Sequence, residues 1–424
     1  MRRQFSLLSG TVAGLVVVWL ACAGGQSGGG TAGTPAERQR VSNLVPFNVA
    51  NCYPTKLDLG KTANEYTLQA AFRGVRPEIN ECLVDAKVQN PNAPTKGKVS
   101  VTLDSSGTTV GVTGDGLQPA ATACIEKAIR AELEGVSVPS GGKPLTLDGP
   151  IERDPSGMVR MGINESSDVQ GTIRLNVPQW CSCFDSVKTA APPELVGVVT
   201  LTRSDIAQVA DRLKLPDGGQ PTNKGVAAAL QPSDPSGAQL ASCLNQKIET
   251  LPLKSASEQL SVPSQLLLVN SIGSTSNMPA TTPPQMQFAQ LDVVREQRQA
   301  EAFAALARRQ NTANAYDAQV QAYQAMANSK DSKKRKTAGA MVKDLKGGCA
   351  ALVKADDEYS KALEAEQAVE QQAVALAQSL KAKDPSWGDA ETASAGAAAD
   401  TQKQIDASKA LRAANEKACP KEKF

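Results

Sequence analysis

The cysteines constrain the fold of this chain more than any other feature. The 424 residues contain nine of them. Cys22 directly follows an apolar N-terminal run, and the other eight are spread over the rest of the chain. An even set in an exported protein predicts disulfide bonds, and the absence of a C-x-x-C motif argues against a thioredoxin-like or zinc-ribbon centre. The eight candidates are Cys52, Cys82, Cys124, Cys181, Cys183, Cys243, Cys349 and Cys419.

The N-terminus has the pattern of a secretory signal. Arg2 and Arg3 precede an apolar run from Phe5 to Ala21, and small residues follow. Leu20-Ala21-Cys22-Ala23-Gly24 is similar to the lipobox of bacterial lipoproteins, in which the cysteine carries a diacylglycerol and cleavage occurs just before it. That pattern usually has Leu three residues before the cysteine, where this chain has Trp19. We predict a signal peptide over residues 1–21 and a lipidated Cys22 on a flexible tether through residue 41. The alternatives are an ordinary cleaved signal and an uncleaved anchor.

Histidine is absent, and this excludes several classes of active site. No Ser-His-Asp or Cys-His nucleophile and no His-ligated zinc or haem can be built. The chain has 45 Lys and Arg against 43 Asp and Glu. Arg2 and Arg3 account for the excess, so the chain beyond residue 21 is neutral. A neutral chain lacks the electrostatic footprint of a nucleic-acid-binding protein. We expect no nucleic-acid partner, no metal and no cofactor.

The segment 42–152 has the pattern of a small α+β module. Strict alternation from Lys98 to Leu103, followed by the turn residues Asp104 to Gly107, indicates a β-hairpin. Two periodic segments on either side indicate helices, and Pro77 should kink the first or restart it. The predicted order is helix 68–88, strand 98–103, strand 109–113, helix 120–133 and strand 145–147.

The segment 177–272 repeats that order, and residues 153–176 are predicted as a linker. The predicted elements are helix 180–187, strand 196–201, strand 206–215, helix 237–251 and strand 259–270, with a long connection over 216–236. The second predicted helix of each segment carries a cysteine followed by an apolar residue, Cys124-Ile125 and Cys243-Leu244. We interpret the two segments as an internal duplication.

A helix with a cysteine, a hairpin, and then C-[IL]-x-x-x-[IV] with a Pro- and Gly-rich exit resembles the TonB C-terminal-like domain. The version found in envelope lipoproteins and gliding-motility proteins of myxobacteria is the most similar. The resemblance covers residues 68–152 and, less closely, 177–271. It implies a small module at the cell envelope with no catalytic residues to carry over. It also implies a Cys82–Cys124 bond. In the second module we predict that Cys181 or Cys183 bonds to Cys243 and that the other bonds to Cys52.

Beyond a linker over 273–285, the segment 286–424 is predicted to be helical. Ala-rich periodic stretches over 286–328, 333–383 and 391–418 indicate a long antiparallel hairpin, or a three-helix coiled-coil region. The turn residues 384–388 separate the last two stretches. Residue 384 is also the midpoint between Cys349 and Cys419, and facing residues of an antiparallel pair are equidistant from the turn. We therefore predict a Cys349–Cys419 bond, with a pair of buried free thiols as the alternative.

Two charged features of the helical segment have ordinary explanations. The acidic residues Asp356, Asp357, Glu364 and Glu366 are expected on a solvated helix face. The run from Lys333 to Lys336 resembles a nucleic-acid patch in isolation. In a neutral exported chain it is better interpreted as the surface of a helix start, and a position near anionic lipid or polymer is the alternative.

These patterns lead to one functional prediction and two rivals. The chain is predicted to be a non-enzymatic envelope lipoprotein that acts as a structural and protein-interaction module. Its expected location is the periplasmic face of the outer membrane, anchored by its N-terminal lipid. A peptidoglycan- or polysaccharide-binding protein is the alternative, although aromatics are only 4% of the chain. An enzyme is the third class, and we see no catalytic constellation for it.

Overall fold

The computed structural model describes residues 46–89, 93, 96–114, 116–139, 141–152, 165–203, 225–253, 255, 257–276, 278 and 282–419. The predicted signal, Cys22 and the tether lie outside these residues. The described residues form a mixed α+β part with small sheets, followed by a long helical region. The first elements are β1 (Phe47–Asn48), α1 (Glu65–Gly74), α2 (Arg76–Gln89), β2 (Lys96–Asp104), β3 (Gly107–Thr113), α3 (Pro119–Glu132) and β4 (Leu145–Glu152).

The first module forms because β2 buries every second side chain. Val99, Val101 and Leu103 pack against Ile125 and Ile129 of α3 in one apolar cluster. The strand order is β3-β2-β4, and both pairings are antiparallel. The carboxylate of Asp104 accepts hydrogen bonds from the backbone N–H groups of Ser106 and Gly107 and closes the predicted hairpin. The predicted break near Pro77 is also confirmed, since α1 ends at Gly74 and α2 begins at Arg76.

The second module contains α4 (Glu165–Asn176), β5 (Leu195–Thr202), β6 (Val226–Pro232), α5 (Ala238–Glu249), β7 (Gln259–Leu266) and β8 (Leu268–Val269). Short 3-10 segments cover Val177–Gln179 and Cys181–Val187. The prediction of a linker over 153–176 is wrong for its second half, which forms α4. This helix buries Val169 and Ile173, four residues apart. Two apolar residues on either side of Gly171 are too few to predict an amphipathic helix from the sequence.

The strand that pairs with β5 lies in the segment predicted as a loop. The strand predicted over 206–215 falls outside the described residues. The observed partner is β6, within the predicted connection 216–236, and it runs antiparallel from Val226 opposite Leu201 to Pro232 opposite Leu195. The strand was missed because Ala227, Ala228 and Ala229 have low β-propensity and hide the alternation between Val226 and Leu230.

The two modules share one topology. The second sheet has the order β6-β5-β7, which matches β3-β2-β4 because the first strand of the hairpin is central in both. In both modules a helix follows the hairpin, and the last strand returns antiparallel to the central one. Cys124 and Cys243 are each the sixth residue of that helix. The common strand order and cysteine position support the interpretation as a duplication.

The C-terminal region consists of three helices, α6 (Pro284–Ala327), α7 (Ser332–Lys381) and α8 (Gly388–Ala418). With 44 and 50 residues, α6 and α7 are ~66 and ~75 Å long at ~1.5 Å per residue. Tight turns connect the helices, and α7 packs against both α6 and α8. The predicted turn at 384–388 is present as a 3-10 segment capped by the Asp384 carboxylate, which accepts from Ser386 N–H. No helix of the described residues has the length and apolarity needed to cross a bilayer.

Specific contacts join the modules to the long helices. In the first module, the Asn64 amide donates to the Ala307 carbonyl of α6 at 2.8 Å. In the second, Asn270 and the Gln290 side chain of α6 exchange two hydrogen bonds of 2.8 and 2.7 Å. Strand β1 pairs in parallel with β8, so the start of the described chain belongs to the second module. The modules therefore lie along the first two-thirds of α6, as far as Asn311, whose amide donates to the Thr62 carbonyl.

Candidate functional site

The open face of the second sheet is the main apolar surface of the described residues. Val196 and Val198 of β5 point away from α5 and retain 47% and 39% of their exposure. Opposite Val198 lie Ala229 of β6 and Pro263 of β7. On the same face, Gln231 of β6 and Gln265 of β7 lie opposite Val196 and border the patch with amides. Scattered exposed apolar residues need no explanation, but neighbours that form one patch mark an interaction site.

The equivalent face of the first module is polar. The central strands share Val-Thr-Leu, at 101–103 in β2 and 199–201 in β5. This alignment places Lys98 and Ser100 at the positions of Val196 and Val198. Lys98 and Ser100 are exposed, as expected for a solvated sheet face. One topology thus carries a polar face in one copy and, in the other, a face with two exposed valines bordered by glutamines.

One outer strand of each sheet contains a proline that hinders pairing with another chain. Pro263 lies in the outer strand β7, and Pro150 lies in the outer strand β4. Proline lacks the N–H that an added strand would need, and it is a known device against edge-to-edge association. On the β7 side, the face of the second sheet rather than its edge is therefore the surface suited to binding.

All eight cysteines outside the N-terminal segment are bonded. The predicted Cys82–Cys124 and Cys349–Cys419 pairs are present. The alternatives left open in the second module are resolved as Cys183–Cys243 and Cys52–Cys181. Cys52–Cys181 spans 129 residues and ties the start of the described chain to the second module. The candidate lipidation residue, Cys22, lies outside the described residues.

The interior of the helical region contains buried charge, which corrects one expectation. Asp356 was expected on a solvated face, but its side chain is 1% exposed and accepts from Arg309 Nε at 2.8 Å. Asn415 of α8 donates to the other carboxylate oxygen at 2.7 Å. Its neighbour Asp357 is on the surface, as expected. The sequence shows two adjacent acids, and only the helix phase relative to α6 and α8 determines which one is buried.

Glu366 and Glu370 form a second buried acidic pair. Glu366, also expected on the surface, is 8% exposed, and Glu370 is 2% exposed. Burial, and then the charge of Glu370, raise the pKa of Glu366 to about 7. Burial also raises the pKa of Glu370 above its usual value. Two carboxylates one helical turn apart in a desolvated site disfavour simultaneous ionisation.

Basic and amide groups partly compensate this pair. The Gln299 side chain of α6 hydrogen-bonds Glu366 and accepts from Arg73 of α1. Burial, and then the neighbouring Arg76, lower the pKa of Arg73 to about 10. Glu370 bonds to Thr401 of α8, but its Oε2 atom has no hydrogen-bond partner among the described residues. The pair therefore links α1, α6, α7 and α8 through a polar contact whose strength depends on pH.

The described residues contain no group of three metal-ligating side chains placed to hold an ion. Comparisons with protein-family models, with curated proteins and with solved structures gave no match for this chain. The described residues form two modules, each with an internal disulfide bond, on a long helical support, and the second module has two exposed valines on its open sheet face.

Proposed function

We propose that this chain is a non-enzymatic lipoprotein of the cell envelope that acts by binding protein partners. The proposal combines the lipobox-like sequence around Cys22 with the pairing of the eight remaining cysteines, which favours an oxidising compartment. It also assigns both modules to the TonB C-terminal-like group. Their common helix, hairpin, helix and strand order supports this assignment.

The observation that carries the proposal is the exposed apolar face of β5. Val196 and Val198 occupy positions where the first module, with the same topology, has Lys98 and Ser100. Folding therefore does not require apolar residues there. Since exposure of apolar area to water is unfavourable, their presence is best explained by a partner that covers them.

The partner surface that fits best is an amphipathic α-helix. Three strands ~4.8 Å apart form a face ~10–14 Å wide, which matches the ~10 Å diameter of a helix. The opposite face of the same sheet already accepts α5 in this way. Short side chains such as Ala229 and Pro263 leave room for the larger side chains of the incoming helix.

Photo-crosslinking in the native cell tests the proposal. A photo-reactive amino acid replaces Ala229, and the matched control carries it at Gly111, which faces Ser100 as Ala229 faces Val198. We expect a recurring protein adduct from position 229 and none from position 111. The double variant Val196→Lys with Val198→Ser copies the first module and should reduce the adduct roughly tenfold or more.

Two results would contradict the proposal. The first is an adduct whose yield is unchanged in the double variant. The second is the absence of a protein adduct together with retention of the protein on purified cell wall that the double variant abolishes. That second result would instead favour the peptidoglycan-binding alternative.

A further inference from the structure

The connection between α6 and α7 concentrates positive charge at one end of the molecule. We define the arm tip as residues 328–346. It contains seven basic residues and only two acidic ones, Asp331 and Asp344. All seven basic side chains are exposed. They are Lys330, Lys333, Lys334, Arg335, Lys336, Lys343 and Lys346.

The positive charge of the arm tip is balanced by negative charge elsewhere in the chain. Beyond residue 21 the chain has 43 basic and 43 acidic residues, so removing the arm tip leaves 36 against 41. The tip therefore carries a net charge of +5 and the rest carries −5. The net charge of the whole chain is neutral, and this argued against a nucleic-acid partner. The neutral net charge conceals the separation of positive and negative charge along the chain.

The tip projects away from the modules on two helices only. The buried residues of α6 end at Ala307, and α8 ends at Ala418 beside the Cys349–Cys419 bond. Seventeen residues of α7 separate Ser332 from Cys349, which corresponds to ~25 Å. Asn311, which contacts the first module through Asn64 and Thr62, and Ala327 are separated by ~24 Å along α6. The bond at the base of this arm holds the tip at a fixed distance from the modules.

Local stability does not explain the basic run. It occupies the first turns of α7, where the helix dipole disfavours cations, and the first turn has no acidic residue. The Asp331 carboxylate is engaged by Lys333 N–H as the helix cap. No carboxylate of the described residues lies within ion-pair distance of the tip lysines. A sequence that places cations at a helix start, against the preference of the helix dipole, is expected where the surface serves binding.

Arg335 has a different role from the lysines. Its guanidinium donates to the backbone carbonyls of Ser329 and Lys330, both at 2.9 Å, and so fixes the turn between the helices. The remaining six positive groups are lysines, which act as point charges rather than as bidentate phosphate clamps. The tip is convex, and no aromatic residue lies within 328–346 to stack a base.

We propose that the arm tip binds a membrane surface rich in anionic phospholipid. A convex, lysine-rich end fits a broad negative surface, which attracts clustered lysines without a defined pocket. A single-stranded nucleic acid would favour aromatic platforms and a groove. The proposal is independent of Cys22 and of the partner on the β5 face, because the tip lies at the far end of α6.

Vesicle co-sedimentation tests the proposal. The oxidised chain 23–424 retains every described residue and lacks the predicted lipid site. It is mixed with vesicles of phosphatidylcholine alone or with about a third phosphatidylglycerol. The tip variant carries Lys333→Gln, Lys334→Gln and Lys336→Gln. The charge-matched control carries Lys354→Gln, Lys361→Gln and Lys403→Gln, at exposed positions on α7 and α8 away from the tip.

We expect the unmodified chain to bind only the anionic vesicles and to dissociate at about 0.5 M salt. Each lysine near the surface contributes a factor of about five, so the tip variant should bind roughly 100-fold more weakly. The control should bind within about threefold of the unmodified chain. Equal binding to both vesicle types, or equal losses in the two variants, would overturn the proposal. Tip-dependent binding to RNA or to cell-wall polymer without binding to anionic vesicles would overturn it as well.

Discussion

Neutralising Glu366 should remove a large part of the pH dependence of stability. Burial and the neighbouring Glu370 raise its folded pKa from 4.5 to about 7. An acid whose pKa is raised on folding binds its proton more tightly in the folded state. Its stabilising contribution is therefore present at low pH and is lost as the pH rises through 7. For this single carboxyl, the free energy of unfolding should fall by about 2–3 kcal/mol between pH 5 and pH 8.

The groups around Glu366 determine the size of this pH dependence of the free energy of unfolding. Arg73 of α1 and Arg295 of α6 lower its pKa, and Gln299 hydrogen-bonds it. Glu370 acts in the opposite direction, and its own raised pKa gives a pH dependence of the same sign. The two carboxyls titrate as a coupled pair, so the measurement needs a difference between variants rather than one curve.

Urea denaturation at pH 5 and pH 8, followed by helical circular dichroism, provides that difference. Glu366→Gln should be nearly as stable as the unmodified chain at pH 5 and more stable by about 2–3 kcal/mol at pH 8. Glu364→Gln is the control, because this glutamate is on the same helix but half exposed and paired with Lys409. The reasoning is refuted if Glu366→Gln retains the full pH dependence of the unmodified chain, or if Glu364→Gln abolishes it equally.

Three further predictions concern other contacts. Asp356→Ala leaves the buried Arg309 unpaired and should cost about 3–5 kcal/mol in urea denaturation, whereas Asp357→Ala should cost under about 1 kcal/mol. Replacing Cys349 and Cys419 by Ala opens a 70-residue loop and should cost up to about 4 kcal/mol. Amide exchange should increase in the last turns of α8, and unchanged exchange there would contradict the assigned pairing. Cys22→Ala should abolish incorporation of a fatty-acid analogue, and continued labelling would exclude the lipid attachment.

Local sequence signals were sufficient for the elements that carry strong periodicity or turn chemistry. The β2–β3 hairpin was predictable because alternation and an Asp-Ser-Ser-Gly turn agree. The Cys349–Cys419 bond was predictable because the turn at Asp384 sets the register of two helices. Such agreement between independent signals is what makes a local inference reliable.

The remaining features depend on tertiary context. Strand β6 contains three alanines of low β-propensity and forms because it pairs with β5 and buries Val226 and Leu230. Helix α4 needs the core of the second module to bury Val169 and Ile173. The burial of Glu366 follows from how α6 packs against both α7 and α1. The apolar face of β5 was visible in sequence as Val196 and Val198. Only the comparison with the equivalent face of the first module shows that exposed valines at these positions are unusual.

The Cys52–Cys181 bond determines the path of mechanical force through the molecule. A pull on the chain before Phe47 passes from Cys52 across the bond to Cys181 and then through the second module to α6. The whole first module lies within the 129-residue loop that this bond closes. It therefore bears no tension while the bond is intact. Reduction would place the first module in series with the load, and its unfolding would then lengthen the connection between the N-terminus and the helical arm.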